Sequence, residues 1–465
     1  MQVPLGLQLP LPFSIMIART LSSWTLSNGH LILLERWRFT QPLWRSQKFF
    51  NICRTPLIFS FKALETIGCT DNLVELGLKC ETLNVWNRTA KFFTLDVSVL
   101  AQYTKYPYVL VLPQNKTEEV LEEHLKGLGI NIQRPYKAIG IKGDVDELGT
   151  TEVLFESGEV IKAQYVIGAD GARSVVSDIS SSFLSISSLT PFHSKIRQLS
   201  GIGFADPDGL PVDDSLAQIV LADITFSDDN PTLPKNNVIG TIHDGAFFFV
   251  IPLQKWTADN PNAESQDTIY RIGFNIPAAL GPPPQQPSIE YLQEHVDAQA
   301  PLNLTSDLTV NPNPIHITKV LWATRFRTHA AIADKFVCRL HARDDTLGGY
   351  VVLIGDAAHI HSPAGGQGMN LSIRDGIAFG SALVVHMNQK TPLDTSDSSP
   401  LQVYEQTRRK STLSVIRLTK RIMGIMSTLG TTRVVDLPYW ILRLLGVVPA
   451  IKRMIAWQLS GLGNR

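Results

Sequence analysis

The sequence predicts an α/β fold: a Rossmann-like domain built from separated segments, an inserted β-sheet domain and a helical C-terminal region. Three observations predict it. First, VVLIGDAAHIHSPAGGQGMN, residues 351–370, runs from an apolar stretch into Gly355 and Asp356, then spends Pro363, Gly365, Gly366 and Gly368 before helix-like LSIRDGIAFGSALVVHM. A short apolar run reads as a buried parallel strand, glycines let backbone approach a ligand, and a helix start turns its amides toward negative charge. Second, YVIGAD at 165–170 places another strand before an Asp, far earlier in the chain. Third, residues from about 200 to 330 are rich in strand and turn signals, so alternating β/α segments flank a sheet insert.

From about Leu57 to Leu78 the periodicity is helical, with Asp71 or Asn72 near a cap. TLNVWN, KFFTLDVSVL and YPYVLVLP are strand-like, and TEEVLEEHLKGLG is an amphipathic helix that stops at Gly127 to Gly129. TEVLFESGEVIKAQYVIGAD supplies a hairpin and a buried strand ending at Asp170. SLAQIVLADITF, NNVIGTIH, GAFFFVIPL and DTIYRIGFNIP are strands parted by turns such as DNPTLPKNN and GPPPQQPS. Strand and helix text returns at Gly349, and from about Leu401 the periodicity is helical onward. These readings assign 1–80, 106–200 and 321–400 to the Rossmann-like domain, 81–105 and 201–320 to the β-rich domain, and 401–465 to the helical region. Residues 1–55 show no clean periodicity before GHLILLERW. Residues 177–194, with eight serines, read either as a flexible surface insertion or as translated non-coding sequence.

Composition narrows the function. Hydrophobic residues make up 44% of the chain and mean hydropathy is +0.04, enough for a buried core and inconsistent with disorder. Lys+Arg 42 balances Asp+Glu 42, so no global field attracts nucleic acid. Residues 401–465 are locally basic, holding only Glu405 and Asp436 as acids, which reads as a solvated helical face. The four cysteines show no metal-site or disulfide-framework spacing; they fit free thiols in a reducing, cytoplasmic setting. No stretch reaches the roughly 18 uninterrupted apolar residues of a membrane helix. His359 and His361 have no acidic partners at ligand spacing, so polar packing is preferred to a metal site.

With YVIGADGARSVV and GDAAHIHSPAGGQGMN in that order, the chain resembles the single-component FAD-dependent aromatic hydroxylases, the para-hydroxybenzoate hydroxylase-like and phenol hydroxylase-like monooxygenases. The resemblance covers about residues 57–465, apart from the serine-rich segment. It implies that Asp356, after Gly355, accepts hydrogen bonds from the flavin ribityl chain. Such a carboxylate at a strand's carboxyl end lies at the crevice where open α/β sheets bind ligands. It also implies that Pro363 lies beside the flavin ring and that Gly365, Gly366, Gly368, Met369 and Asn370 form the turn and helix start facing the flavin's pyrimidine edge. Asp170, Gly171 and Arg173 match the motif that serves the FAD pyrophosphate region and nicotinamide engagement, and Gln114 matches a glutamine that contacts FAD. For the substrate boundary the candidates are Trp322, Arg325 and Arg327, which read equally as strand packing, and the strand pair Phe247 and Phe249, for which core packing is the preferred reading.

The chain departs from the family at its first strand, where a GxGxxG loop should receive the FAD pyrophosphate. The nearest remnant is Pro4-Leu5-Gly6-Leu7; Leu31 to Leu34 with Glu35 resembles the second strand and its ribose-binding acid, and Arg54 is the nearest candidate for the expected arginine. The resemblance implies an NADPH- or NADH-using monooxygenase that hydroxylates a phenolic or related aromatic substrate with O2 through a flavin hydroperoxide. A homodimer is compatible with it. The missing loop keeps a second reading open, an inactive or FAD-deficient homologue that retains the fold and binds a ligand or partner.

Overall fold

A computed structural model describes residues 31–35, 61–172, 194–209, 218–227, 230–243, 245–253, 268–276, 280–327, 330–341, 347–362, 366–389, 399–428 and 448–460. Strand β1 (Leu31–Glu35) is followed by helices α1 (Phe61–Thr66) and α2 (Thr70–Leu76). Strands β2 (Leu78–Cys80), β3 (Thr82–Trp86), β4 (Lys91–Asp96) and β5 (Val109–Val111) lead to helix α3 (Gln114–Gly127). Strands β6 (Ala138–Gly143), β7 (Thr151–Phe155), β8 (Val160–Ala163) and β9 (Tyr165–Ala169) precede the short helix α4 (Lys195–Leu199). Next come β10 (Phe204–Ala205), β11 (Gln218–Phe226), β12 (Asn237–His243), β13 (Ala246–Leu253), β14 (Ile269–Ile276), helix α5 (Ile289–Gln299) and β15 (Ile317–Arg327). Strands β16 (Ala331–Ala333), β17 (Val337–His341), β18 (Leu347–Leu353) and β19 (His359–Ile360) precede helices α6 (Gly368–Met387), α7 (Pro400–Thr428) and α8 (Pro449–Ser460).

The two apolar runs singled out in the sequence lie side by side. Strands β1, β9 and β18 are parallel, and β17 closes the four-stranded sheet antiparallel to β18. Both faces of β9 and β18 are buried, which is why they read as continuous apolar runs rather than as alternation. On one face Val166, Val351 and Leu353 pack with Phe155 of β7 and Ile416 of α7. On the other, Tyr165, Ile167, Tyr350 and Val352 meet Phe379 and Leu383 of α6 and Tyr404 of α7. Strand β1, which the resemblance implied to be the family's second strand, is the direct neighbour of β9.

The second sheet has seven strands in the order β15-β11-β14-β13-β12-β3-β4. Its outer face buries Val220, Ala222, Phe248, Val250, Ile272 and Phe274 against Leu292 and Val296 of α5. Helix α5 lies in a region read from sequence as sheet and turn alone. Its start is set by Ser288, whose side chain accepts from the amide of Tyr291. The sheet also takes residues beyond the expected boundary at 320: β15 runs to Arg327 because it pairs with β11 from Phe226 back to Gln218. Helix α8 packs Ala456 against Leu95, Val97 and Leu100, with Trp457 edge-on to Tyr103 at 4.9 Å. Among the described residues no helix is long and apolar enough to cross a membrane.

Candidate functional site

Three parallel strands finish level with one another. Glu35 stands opposite Ala169 and Leu353 opposite Gly168, so continuing the register sets Gly355 beside Asp170. The carboxyl edge of one sheet thereby gathers Glu35, Asp170, Gly171, Gly355 and Asp356, the edge at which open α/β sheets bind ligands. Gly355 has φ +58°, and a Cβ on it would sit 2.9 Å from Ser372 Oγ of α6. Gly355→Ala therefore meets both a left-handed backbone and a tight neighbour. It is expected to lower unfolding stability by about 1–2 kcal/mol, read from urea denaturation.

Asp356 follows in a one-turn 3-10 helix, Gly355–Ala357, and is exposed. The protein around its inner side raises the pKa of its carboxyl group, with Asp375 adding repulsion and His359 opposing. Asp170 is used differently. Its carboxylate accepts from Ser194 Oγ, from the Lys195 amide at 2.6 Å and from the Ile196 amide at 3.1 Å, so it fixes the start of α4. Helix α4 in turn holds the fully buried Arg197, which donates to the Ala357 carbonyl and lies 3.7 Å from the Phe204 ring centroid. Burial lowers the Arg197 pKa to about 10 against the pull of Asp170, which leaves the guanidinium charged at neutral pH. Asp170 and Asp356 are thus joined through α4 to one rigid turn.

The second half of the edge is the start of α6. Gly366 has φ +67°, and no side chain caps the helix at Gln367. The first helical amide bond runs from Leu371 to the Gln367 carbonyl at 2.8 Å, so the helix start keeps the positive end that suits an anionic ligand edge. The buried Asn370 donates to the Gly366 carbonyl at 3.1 Å and steadies the turn. Met369 faces away, packing with the Phe61 and Leu64 cluster of α1. Gln367 is itself buried and donates to the Leu459 carbonyl of α8 at 3.1 Å. Gln114, at the start of α3, donates to Glu118 at 2.7 Å within its own helix. Arg173, Pro363 and Gly365 lie outside the described residues, as do the Pro4 to Leu7 remnant, Arg54 and all of 177–194 except Ser194. Of Glu35 only the backbone strand position is described.

His359 and His361 make polar contacts beside this edge. His359 Nε2 donates to Asp375 Oδ2 at 2.6 Å, and His361 Nδ1 donates to the Ser362 carbonyl at 2.7 Å. Burial, with some repulsion from His359, pushes the His361 pKa down to about 4, so it is neutral near pH 7. Among the described residues no group of three His, Cys, Asp or Glu side chains is arranged to hold a metal ion. Burial also pushes the thiols of Cys69 and Cys338 up to about 11 and that of Cys80 up to about 12, which removes them as nucleophiles near neutrality.

The inner face of the seven-stranded sheet carries the three aromatic residues singled out in the sequence. Phe247, Phe249 and Trp322 cluster there with Ile219 and Leu221. The Phe249 ring lies across Gly273, where a Cβ would come within 2.3 Å of its Cζ. Sequence reasoning missed the charged pair in this wall. Arg271 donates from Nε to Asp223 Oδ1 at 2.7 Å and from Nη2 to Oδ2 at 2.8 Å, with its guanidinium 5.4 Å from the Trp322 ring centroid. Arg325 is not part of this wall. It stands opposite Val220 on the outer face and donates to the Pro283 carbonyl at 2.9 Å. Strand period alone separates the two, since residues three apart point to opposite faces.

A family model described as an FAD binding domain matches residues 32–196 and 313–419, more than half of the chain. The chain belongs to this FAD-binding family. Its similarity to rifampicin monooxygenase of Rhodococcus hoagii is 27% identity over 325 residues, which is 70% of this chain and 54% of that protein. To the uncharacterized aromatic compound monooxygenase YhjG of Bacillus subtilis it is 25% over 418 residues, 87% of this chain and 66% of that one. The chain spans about half to two thirds of the length of these curated relatives. In fold, this FAD-binding family member is similar to p-nitrophenol 4-monooxygenase PnpA of Pseudomonas putida, with a TM-score of 0.65 at 19% identity, covering 98% of this chain and 96% of that one. It is also similar to the OxyS anhydrotetracycline hydroxylase of Streptomyces rimosus, with a TM-score of 0.60 at 22% identity, covering 97% and 74%.

Proposed function

We propose that the chain is an FAD-dependent monooxygenase that uses NADPH or NADH and O2 to hydroxylate a phenolic or related aromatic substrate. The observation that carries this reading is the level edge of β1, β9 and β18 facing the uncapped start of α6. The residues present fit a flavin dinucleotide. Asp356 offers an exposed carboxylate to polyol hydroxyls, and a Cβ on Gly171 or Gly368 would meet nothing within 4 Å, leaving room for close approach. Bound there, FAD would supply hydride acceptance from the nicotinamide and activation of O2.

The protein's own part is binding, orientation and exclusion of water. Asp356 holds hydroxyl groups, the α6 start offsets negative charge at the flavin edge, and Phe247, Phe249 and Trp322 offer ring faces to an aromatic ligand. The monooxygenase names of the relatives and the aromatic substrates in several of those names support the same reading. A cytoplasmic location fits the free thiols of Cys69, Cys80 and Cys338. The test is turnover of the FAD-loaded protein with NADPH or NADH, a panel of phenols and isotopically labelled O2. A product carrying one labelled oxygen is expected; nicotinamide oxidation with no labelled product from any phenol would contradict the assignment.

A further inference from the structure

One buried carboxylate outside the residues assigned above accepts from both ends of the turn that carries Asp356. Asp375, in the second turn of α6, accepts from the Gly355 amide at 3.2 Å and from His359 Nε2 at 2.6 Å, both through Oδ2. Its other oxygen, Oδ1, accepts from Arg408 Nε of α7 at 2.7 Å. All three side chains, Asp375, His359 and Arg408, are buried. Burial would raise the Asp375 pKa, but His359 and Arg408 together bring it below the usual carboxylate value, so the acceptor stays charged.

The geometry is specific to one segment. Gly355 and His359 are the two ends of the turn that carries Asp356, and a single oxygen takes a donor from each end. His359 is also tied by its backbone to β16, where it stands opposite Ile332, so the turn's far end is anchored on a strand. Gly355 holds a left-handed backbone at φ +58°, which a fixed amide acceptor stabilises.

We propose that Asp375 is a positioning residue: it clamps both ends of the Gly355–His359 turn so that Asp356 is presented to the cofactor, while Arg408 supplies the balancing charge. This rests on the proposed FAD site, but the clamp is a property of the turn and is measurable without FAD. An apolar pair often replaces a buried ion pair without loss of stability. The acceptor for Gly355 and His359 is then the part that cannot be replaced.

The experiment compares two double variants with the wild-type chain. In Asp375→Asn with Arg408→Gln, the introduced carboxamide keeps a carbonyl oxygen for the turn and turns its amide toward the introduced glutamine. In Asp375→Leu with Arg408→Met, the acceptor is gone. Hydrogen exchange of the 351–361 segment is read by mass spectrometry without FAD, and the Kd for FAD is read from flavin absorbance and fluorescence. The Leu/Met pair is expected to exchange in this segment roughly 10-fold faster or more and to weaken FAD by about 10-fold or more. The Asn/Gln pair is expected to stay near wild type in both. Equal exchange and equal FAD affinity in the two pairs would overturn the proposal, as would lost protection with unchanged affinity. If the wild-type chain retains no FAD while exchange still separates the pairs, the clamp stands and the site assignment fails. Should the Leu/Met pair not fold, Asp375→Ala with Arg408→Met, which leaves room for water, takes its place under the same readouts.

Discussion

Asp356→Ala is expected to raise the Kd for FAD roughly 10- to 100-fold, because hydrogen bonds to a charged acceptor contribute about 1.5–3 kcal/mol and each 1.4 kcal/mol is tenfold. The effect is confined to binding. Asp356 is exposed at the end of its strand and supports no packing in the cores around β9 and β18, so unfolding of the FAD-free protein should change little. Asp356→Asn keeps an acceptor oxygen and should cost only a few-fold. Equilibrium titration with FAD, followed by flavin fluorescence, separates the three proteins. Unchanged affinity in the Ala variant would remove Asp356 from the cofactor site.

Arg271→Met carries the second large effect, on stability. It takes from Asp223, a buried carboxylate, both the Nε and the Nη2 donors of Arg271. Removing one partner of a buried pair costs about 3–5 kcal/mol. The variant should show this loss in urea denaturation, while Arg271→Met with Asp223→Leu should recover most of it, because no charge is left uncompensated. A loss below about 1 kcal/mol in the single variant would mean that water reaches Asp223 and that the wall is not dry.

Local pattern made the frame of this fold legible, and distance along the chain hid the rest. Strands β9 and β18 announced themselves as apolar runs because both of their faces are buried, and the glycines after β18 marked a turn before α6. The alternation of Phe247 and Phe249 placed them on one face, where they meet Trp322. Nothing local joined Asp375 to Arg408, which comes from the next helix, or Asp223 to Arg271, whose strands pair only in the folded sheet. In the sequence Asp375 is one polar residue within the helix-like LSIRDGIAFGSALVVHM. The carboxylate of Asp170 was assigned to the cofactor region by resemblance; the structure engages it at the start of α4, through donors at Ser194, Lys195 and Ile196 that follow a segment of irregular composition. Helix α5 was missed because Pro-rich text precedes its Ser288 cap, which draws attention to turns rather than to the helix start.

The charge state of the inner site has a consistent logic. Burial raises Asp356 and holds His361 neutral, while His359 and Arg408 lower Asp375, so groups around the Gly355–His359 turn are driven apart. Asp375 keeps its charge to serve the turn, and Asp356 is the group left open to a ligand.

The most direct measurement is the visible spectrum of the purified protein after incubation with excess FAD and removal of the unbound fraction. Retained absorbance of oxidised flavin near one equivalent per chain is expected, diminished in Asp356→Ala. A folded, colourless wild-type protein would contradict the cofactor assignment, and would leave the level strand ends and the α6 turn as a scaffold without its cofactor.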